Sequence, residues 1–179
     1  MKQQGFTLIE LLIVISLILF LTIMSINLAY TGRLKSRDAK RKTDLEKITS
    51  LLSAYYQAHG KYPPAVNGTT TCAYGAANCW VYSTAGEDWI QPLVPDYAPV
   101  LPVDPKNNAE DPWDLNDDNY SYAYGNVTLD GQAYDLTTRL ESETDPDRCA
   151  DKQYRYGFTN LLWCGAYSDQ VYELSPLSP

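Results

Sequence analysis

The chain has 179 residues, of which 45% are hydrophobic and 12% aromatic, and its formal net charge at pH 7 is −8. This length suits one domain of ordinary size with an appendage, and the composition excludes a collagen, a low-complexity disordered chain and a polytopic membrane protein. A single histidine argues against histidine-based catalysis and histidine-rich metal sites. Fifteen tyrosines against three phenylalanines predict a hydrogen-bonding aromatic surface rather than an apolar interior. These numbers favour a protein that is not an enzyme.

The charge is distributed unevenly along the chain. Residues 1–30 carry one basic and one acidic side chain, and residues 31–47 carry seven basic against three acidic ones, a balance of +4. Residues 48–179 carry six basic and 18 acidic side chains, a balance of −12. An acidic region of this kind does not indicate binding to DNA or to another nucleic acid. The chain therefore divides into an apolar start, a basic connecting segment and an acidic head.

An apolar run near the N-terminus contains a single ionisable side chain, Glu10. The run covers residues 6–28, FTLIELLIVISLILFLTIMSINL, and as an α-helix its 23 residues extend over about 34 Å. The hydrocarbon core of a bilayer is roughly 30 Å thick. A secretory signal peptide has a shorter apolar region and a small-residue cleavage site, which does not follow Leu28. The sequence therefore predicts a retained transmembrane or filament-core helix over residues 6–30.

The residues before this run carry a second signal. The chain begins MKQQGFTLIE, and this start resembles the class III signal of type IV prepilins and pseudopilins. The resemblance implies a leader of residues 1–5, which is cleaved between Gly5 and Phe6, and methylation of Phe6 at its new amino group. It also makes Glu10 the fifth residue of the mature chain and implies that Glu10 acts in assembly.

Two interpretations of Glu10 are open. A carboxylate costs on the order of 3 kcal/mol near the middle of a bilayer and less near its surface, so Glu10 either lies at the interface or meets a cation. Cleavage after Gly5 creates an α-amino cation with a reference pKa near 8, one helical turn from Glu10. In the second interpretation the amine of a neighbouring subunit pairs with Glu10 and sets the axial register of helices packed in a filament.

An amphipathic helix over residues 31–60 is predicted to continue the first helix into the head, as far as His59. Residues 31–59 contain no proline, and Gly60 followed by Pro63-Pro64 predicts the end of the helix. Apolar positions at helical spacing predict a stripe that packs under a sheet. These positions are Leu34, Leu45, Ile48, Leu52 and Tyr55.

The resemblance extends beyond the apolar run, to about Glu141. SRDAKRKTDLEKITSLLSAYYQAHGKYP is similar to the helix of major pseudopilins and pilins, and LPVDPKN and YSYAYGN…YDLTTRLE are similar to their heads. Two departures stand out. Asn27 occupies the position of a helix-breaking proline in many pilins, and the calcium loop of secretion pseudopilins is not recognisable after Tyr134.

Residues 61–179 form the predicted acidic globular head. Aromatic and β-branched residues predict strands at Tyr120–Tyr124 and Ala133–Leu140, joined by an Asp130-Gly131 hairpin turn, and a short strand at Trp80–Tyr82. The predicted fold class is therefore α+β. A long N-terminal helix packs on a small antiparallel sheet, with a loop-rich, disulfide-bonded C-terminal region.

The four cysteines are spaced as Cys72-x6-Cys79 and Cys149-x14-Cys164. These spacings do not match the paired C-x2-C of zinc ribbons. An exported head is oxidised, so two sequential disulfides, Cys72–Cys79 and Cys149–Cys164, are the simplest interpretation. The other pairings stay open from sequence alone.

An acidic stretch between residues 104 and 118 contains a candidate cation site. Asp114-x-Asn116-x-Asp118 places oxygen ligands of the kind that calcium prefers on one loop. The stretch lacks the following glycine and the closing glutamate of an EF-hand, so a solvated acidic loop is the alternative. No other cofactor and no catalytic residue is predicted.

The resemblance implies a structural function. The chain is expected to be a subunit of a type IV pilus-like filament that serves adhesion, motility or DNA uptake, cleaved, N-methylated and assembled through its N-terminal helix. One alternative is a major pseudopilin of a type II secretion system. An alternative of another class is a membrane-anchored binding module that does not polymerise.

Partners and location follow from the same resemblance. The expected partners are other copies of the chain, a prepilin peptidase/methyltransferase and an inner-membrane assembly platform. Before assembly the chain is expected to cross the inner membrane once with its head exported, and afterwards to lie in an extracellular filament or a periplasmic pseudopilus. In the filament we expect Arg37, Lys40 and Arg41 to face solvent and to contact the acidic heads of neighbouring subunits.

Overall fold

The computed structural model describes residues 7–67, 70–71, 79–115, 118–126, 128, 130–155, 157 and 161–176, with the backbone alone at residues 23–29, 67 and 70–71. The described residues form one long helix, α1, six short strands and two short helices. Their bounds are α1 Leu8–His59, β1 Val66–Asn67, β2 Thr70–Thr71, β3 Trp80–Tyr82, β4 Ala123–Asn126, β5 Tyr134–Arg139, α2 Cys149–Lys152, α3 Trp163–Ala166 and β6 Val171–Leu174.

Helix α1 is continuous over 52 residues, which corresponds to about 78 Å at 1.5 Å per residue. It passes residue 27 without a break, since asparagine keeps the backbone N–H that proline lacks. Gly60 ends the helix in the left-handed conformation, with φ of 70° and its N–H donated to the Tyr56 carbonyl at 2.7 Å. The predicted continuous helix and its end are confirmed from Leu8 onward, whereas Phe6 lies outside the described residues.

Four strands form an antiparallel sheet in the order β3-β4-β5-β6, and β1 and β2 form a separate pair. The predicted turn between β4 and β5 is present. Gly131 adopts φ of 72° and donates its N–H to the Thr128 carbonyl at 3.1 Å, and Asp130 Oδ1 accepts the N–H of Gln132 at 3.1 Å. The strand predicted at Trp80–Tyr82 is confirmed, and the one predicted at Ala133–Leu140 is confirmed to within one residue at each end.

Two features of the sheet differ from the sequence prediction. The strand predicted to begin at Tyr120 begins at Ala123, because loop side chains take the preceding backbone donors. Asn108 Oδ1 accepts the N–H of Tyr120 and Ser83 Oγ accepts that of Tyr122, both at 2.8 Å. Strand β6, a four-residue strand that contains a glutamate, is not among the strands predicted from the sequence.

One face of the sheet packs on α1. Leu45, Ile48 and Leu52 from the predicted stripe are fully buried, and they share a core with Tyr124 and Leu136 of the sheet. Burying an aliphatic side chain of this size contributes about 1.5–3 kcal/mol. The stripe therefore holds the second half of α1 against the head.

The opposite face of the sheet is covered by aromatic side chains and by the segment that contains α2 and α3. We call this segment of α2 and α3 the C-terminal layer. The ring centroids of Trp113 lie 4.8 Å from Trp80 and 5.0 Å from Trp163 of α3. Trp80 also crosses Gly125 so closely that an added Cβ would lie 2.9 Å from its ring. Glycine is therefore required at that position of β4.

A disulfide between Cys149 of α2 and Cys164 of α3 closes the C-terminal layer, with 5.5 Å between the Cα atoms. This pairing is confirmed. Cys79 is also disulfide-bonded, and Cys72, its predicted partner, lies outside the described residues.

The prediction that tyrosines form a wet surface is wrong for much of the head. Their hydroxyls find partners inside the protein, which removes the cost of burial. Tyr124 donates to the Pro63 carbonyl at 2.6 Å and Tyr122 donates to Asp44 at 3.0 Å. The buried tyrosines are Tyr120, Tyr122, Tyr124, Tyr134, Tyr154 and Tyr172.

Candidate assembly site

The start of α1 is held by a reciprocal pair of side chains, Thr7 and Glu10. Thr7 is the N-cap, and its Oγ1 accepts the N–H of Glu10 at 3.3 Å. Glu10 Oε2 in turn accepts the N–H of Thr7 at 2.9 Å and its hydroxyl at 2.8 Å. Sequence reasoning missed this capping box, although the T-x-x-E spacing indicates it. Gly5 and Phe6, the predicted processing residues, lie outside the described residues.

The first four turns of α1 carry apolar side chains on every side of the helix, and these side chains are exposed. Every large apolar side chain from Leu8 to Leu21 is between 49% and 82% exposed. The two hydroxyls here stay within the helix: Ser16 donates to the Ile13 carbonyl at 2.8 Å and Thr22 to the Ile18 carbonyl at 2.7 Å. A helix surface that is apolar all round requires an apolar environment or a partner.

Within the described part of the chain, we find no helix whose apolar stretch is long enough to cross a membrane.

The comparisons with known proteins bear on this same end of the molecule. Residues 1–26 match the family model described as the prokaryotic N-terminal methylation motif. The chain carries the type IV pilin and pseudopilin signature. The matched residues include Gly5, Phe6 and Glu10. Comparison with curated proteins finds no match, and comparison with solved structures finds none either.

A buried ion cluster joins α1 to the head of this pilin-like chain. Arg41 is fully buried, and its guanidinium donates to both oxygens of Asp104, at 2.7 and 3.1 Å. It also donates to Asp38 at 2.8 Å and to Glu141 at 2.7 Å. The prediction that Arg41 faces solvent and contacts a neighbouring subunit is therefore wrong, because its own head supplies three carboxylates.

Glu141, just beyond β5, also contacts two further cations of the cluster. Arg37 donates two hydrogen bonds to it, at 2.6 and 2.5 Å, and Lys106 Nζ lies 3.1 Å from Oε2. Burial alone raises the pKa of Glu141, but hydrogen bonds from Arg37, Arg41 and Lys106 outweigh it and lower the pKa to about 2. Glu141 is therefore a carboxylate at neutral pH, and it fixes the end of β5 to α1.

Asp38 connects the same cluster to the backbone of the head. Its two oxygens accept the N–H groups of Glu141 at 2.9 Å and of Ser142 at 2.8 Å. A side chain of α1 thus satisfies two backbone donors where the chain leaves β5. The cluster sets the orientation of α1 relative to the sheet as well as its position.

The other basic residues of α1 divide into paired and unpaired groups. Lys40 pairs with Asp44 one turn along the helix at 2.6 Å, so it does not stand free for a neighbour. Lys42 pairs with Asp145 at 2.6 Å. Arg33 and Lys35 are exposed, and neither forms an ion pair with any described residue. Within the basic connecting segment, residues 31–47, these two cations remain available to another molecule.

The predicted calcium loop is described only in part. The Asp114 carbonyl accepts a hydrogen bond from Arg139 at 3.1 Å, and the Asp118 carbonyl accepts one from Asn108 at 2.8 Å. Asn116 lies outside the described residues. Among the residues that are described, no three His, Cys, Asp or Glu side chains are grouped so as to hold a metal ion. Calcium binding by Asp114, Asn116 and Asp118 stays a prediction.

Proposed function

We propose that the protein is a structural subunit of a type IV pilus-like filament, which assembles through the first half of α1. The exposed apolar surface from Leu8 to Leu21, directly after the methylation motif, carries this proposal. The second half of α1 is committed to the head by its buried stripe and by the Arg41 cluster. The first half is thus an extension available to a membrane or to other copies of the chain.

Before assembly, residues 6–30 lie in the inner membrane and the head is exported. The Cys149–Cys164 disulfide supports this orientation, because disulfides form and persist outside the reducing cytoplasm. The peptidase/methyltransferase then removes residues 1–5 and methylates Phe6. The membrane stage explains the apolar first half of α1 and the internally satisfied hydroxyls of Ser16 and Thr22.

In the filament, apolar surfaces of α1 from neighbouring subunits pack on one another. Glu10 uses Oε2 for its capping interaction, and Oε1 accepts no hydrogen bond from a described residue. A carboxylate has acceptor capacity on both oxygens, so Oε1 is suited to the methylated amine of a neighbour. The same carboxylate thereby begins its own helix and binds the next one.

Electron microscopy of fibres sheared from cells, with mass spectrometry of their subunits, tests the proposal. Long surface fibres that contain this chain are expected. Short fibres that appear only with overexpression indicate the secretion pseudopilus. A chain that stays in the membrane fraction and forms no fibre even on overexpression, while its head is folded, would contradict assembly and support the anchored binding module.

A further inference from the structure

The face of the sheet under the C-terminal layer buries two carboxyl groups. Asp135 of β5 is 1% exposed and Glu173 of β6 is 2% exposed. The register places Glu173 opposite Thr137, two residues from Asp135, so both side chains lie on the same face. They are therefore diagonal neighbours on adjacent strands, a spacing that long side chains can bridge. We call them the carboxyl pair.

Each member of the carboxyl pair accepts a hydrogen bond from the C-terminal layer. The backbone N–H of Gly157, between α2 and α3, donates to Asp135 at 2.7 Å. The indole Nε1 of Trp163, in α3, donates to Glu173 at 3.0 Å. The pair is therefore the polar attachment between the sheet and the C-terminal layer, inside an otherwise aromatic interface.

No cation compensates the carboxyl pair. Among the described residues, no Lys, Arg or His forms an ion pair with either carboxyl, and Tyr154 is a titratable group near Glu173. The charged side chains and the tyrosine on the surrounding elements have other partners. Arg139 donates to Gln170 and to the Asp114 carbonyl, Arg148 pairs with Asp151, Lys152 pairs with Asp147, Tyr154 donates to the Asp147 carbonyl, and Arg155 is exposed.

Two ionised carboxylates have no proton to place between them, because each offers acceptors only. One proton held between Asp135 and Glu173 would supply the missing donor and remove one of the two buried charges. Burial raises the pKa of Asp135, and burial together with the charge of Asp135 raises the pKa of Glu173. Two like charges in a low-dielectric interior without a cation are costly.

We propose that the carboxyl pair shares one proton that closes the C-terminal layer onto the sheet, and that loss of this proton releases the layer. The device is independent of filament assembly. Its direction follows from proton linkage: the folded state holds a proton that the unfolded chain has lost above about pH 4. The contribution of the shared proton to stability is therefore fully present below that pH and is lost as the pH rises above it.

Urea unfolding of the full-length chain in detergent micelles tests the proposal between about pH 5 and about pH 9. This window lies between the reference pKa values of carboxyl groups, near 4, and of tyrosine, near 10. The ratio of folded to unfolded protein is expected to fall with rising pH, by up to tenfold per pH unit, which is the linkage limit for one proton. A wild-type ratio that does not fall over this window would overturn the proposal.

The Glu173→Gln variant isolates the shared proton. Glutamine retains an oxygen for the Trp163 indole and supplies an N–H for Asp135, so the layer should stay closed with no proton to lose. The pH slope should disappear in Glu173→Gln and persist in the matched control Glu143→Gln, which changes an exposed glutamate. An unchanged slope in Glu173→Gln contradicts the proposal.

Infrared spectroscopy of the folded wild-type protein gives a test that needs no variant. A protonated carboxyl C=O band is expected at neutral pH, where exposed carboxyl groups are ionised, and it should vanish on unfolding. As the pH is raised and that band is lost, backbone hydrogen exchange in residues 161–173 should become faster than the intrinsic pH dependence of exchange alone predicts. Absence of the band in the folded protein at neutral pH would refute the shared proton.

Discussion

At the residue scale, Glu10 illustrates how one side chain serves a local structure and a proposed contact between molecules. Its capping interaction with Thr7 is local and holds the first turn of α1. The proposed pairing with the amine of a neighbouring subunit needs the negative charge. The two contributions are separable because glutamine also completes a capping box but carries no charge.

We therefore predict that Glu10→Gln and Glu10→Ala both lose filaments while leader cleavage continues in the membrane. Only Glu10→Ala also loses the side-chain half of the capping box, the hydrogen bonds that Oε2 accepts from Thr7, while Thr7 keeps its bond from the backbone N–H of residue 10. The readouts are the yield of sheared filament and the mobility of the membrane-bound chain on an immunoblot. Normal filament yield from Glu10→Gln would leave Glu10 as a cap or an interfacial residue only.

Arg41 is the residue on which the junction between α1 and the head depends most. Arg41→Met preserves much of the side-chain length but leaves Asp38, Asp104 and Glu141 without their shared cation. Removing one partner of a buried ion pair costs about 3–5 kcal/mol, and we expect a loss of unfolding free energy of that order. The control is Lys35→Met, which removes an exposed cation and should leave chemical denaturation unchanged. A head that tolerates Arg41→Met as well as Lys35→Met would contradict this account.

Glu141 gives the head a defined acid sensitivity. Its folded pKa, about 2, lies below the reference value near 4.3 that applies to the unfolded chain. The resulting stabilisation is complete above pH 4.3 and is lost as the pH falls towards 2. Thermal melting at successive pH values should show a decline over this interval. The decline should be shallower in Glu141→Gln, and equal declines would exclude Glu141 as a source.

At the element scale, the two halves of the continuous helix α1 lie in different environments. The large apolar side chains from Leu8 to Leu21 are exposed, whereas the second half of α1 is fixed to the head by a stripe and a buried ion cluster. Local patterns were sufficient to predict α1, its end at Gly60 and the turn at Asp130-Gly131, because each depends on residues close together in sequence. The stripe was predicted for the same reason.

Elements that depend on distant residues were not predictable in this way. Arg41 meets Asp104 across 63 positions and Glu141 across 100, so a basic segment read alone looked solvent-facing. Only the fold brings Asp135 and Glu173 together, although each lies in a short strand. The capping box at Thr7 was different, because its signal is local and was overlooked.

Arg37, Lys40 and Arg41 are paired within their own chain. We therefore expect Arg33 and Lys35 to contact the acidic heads of neighbouring subunits instead. We predict that Arg33→Glu combined with Lys35→Glu weakens fibres without changing the thermal stability of the head. Each exposed pair contributes only about 0–1 kcal/mol, so shorter or more fragile fibres are expected rather than none.

Fibre length after a fixed shear measures this effect. High salt should shorten wild-type fibres in the same way, because the Debye length falls to about 3 Å at 1 M salt. Lys61→Glu, which reverses an exposed cation beyond the end of α1, is the control. Double-mutant fibres that match wild type in length and salt response would show that helix packing alone holds the filament.

At the scale of the whole molecule, the layers of the head and the exposed start of α1 have separate tasks. The sheet lies between α1 and the disulfide-closed C-terminal layer, so the head is stabilised by its own contacts. In the proposed function, the apolar first half of α1 serves first in a membrane and then in contacts with other subunits. In the proposed function, processing at Gly5 and Phe6 is the step that connects these two environments.

Intact-mass measurement of subunits from purified surface fibres tests the central claim most directly. Removal of residues 1–5 from the 179-residue chain leaves 174 residues. The account predicts a chain that begins at Phe6, carries one added methyl group on its amino terminus and retains its disulfides. A bulky replacement of Gly5 should give an uncleaved chain that is confined to the membrane. Fibres built from chains that still begin at Met1 would contradict the account.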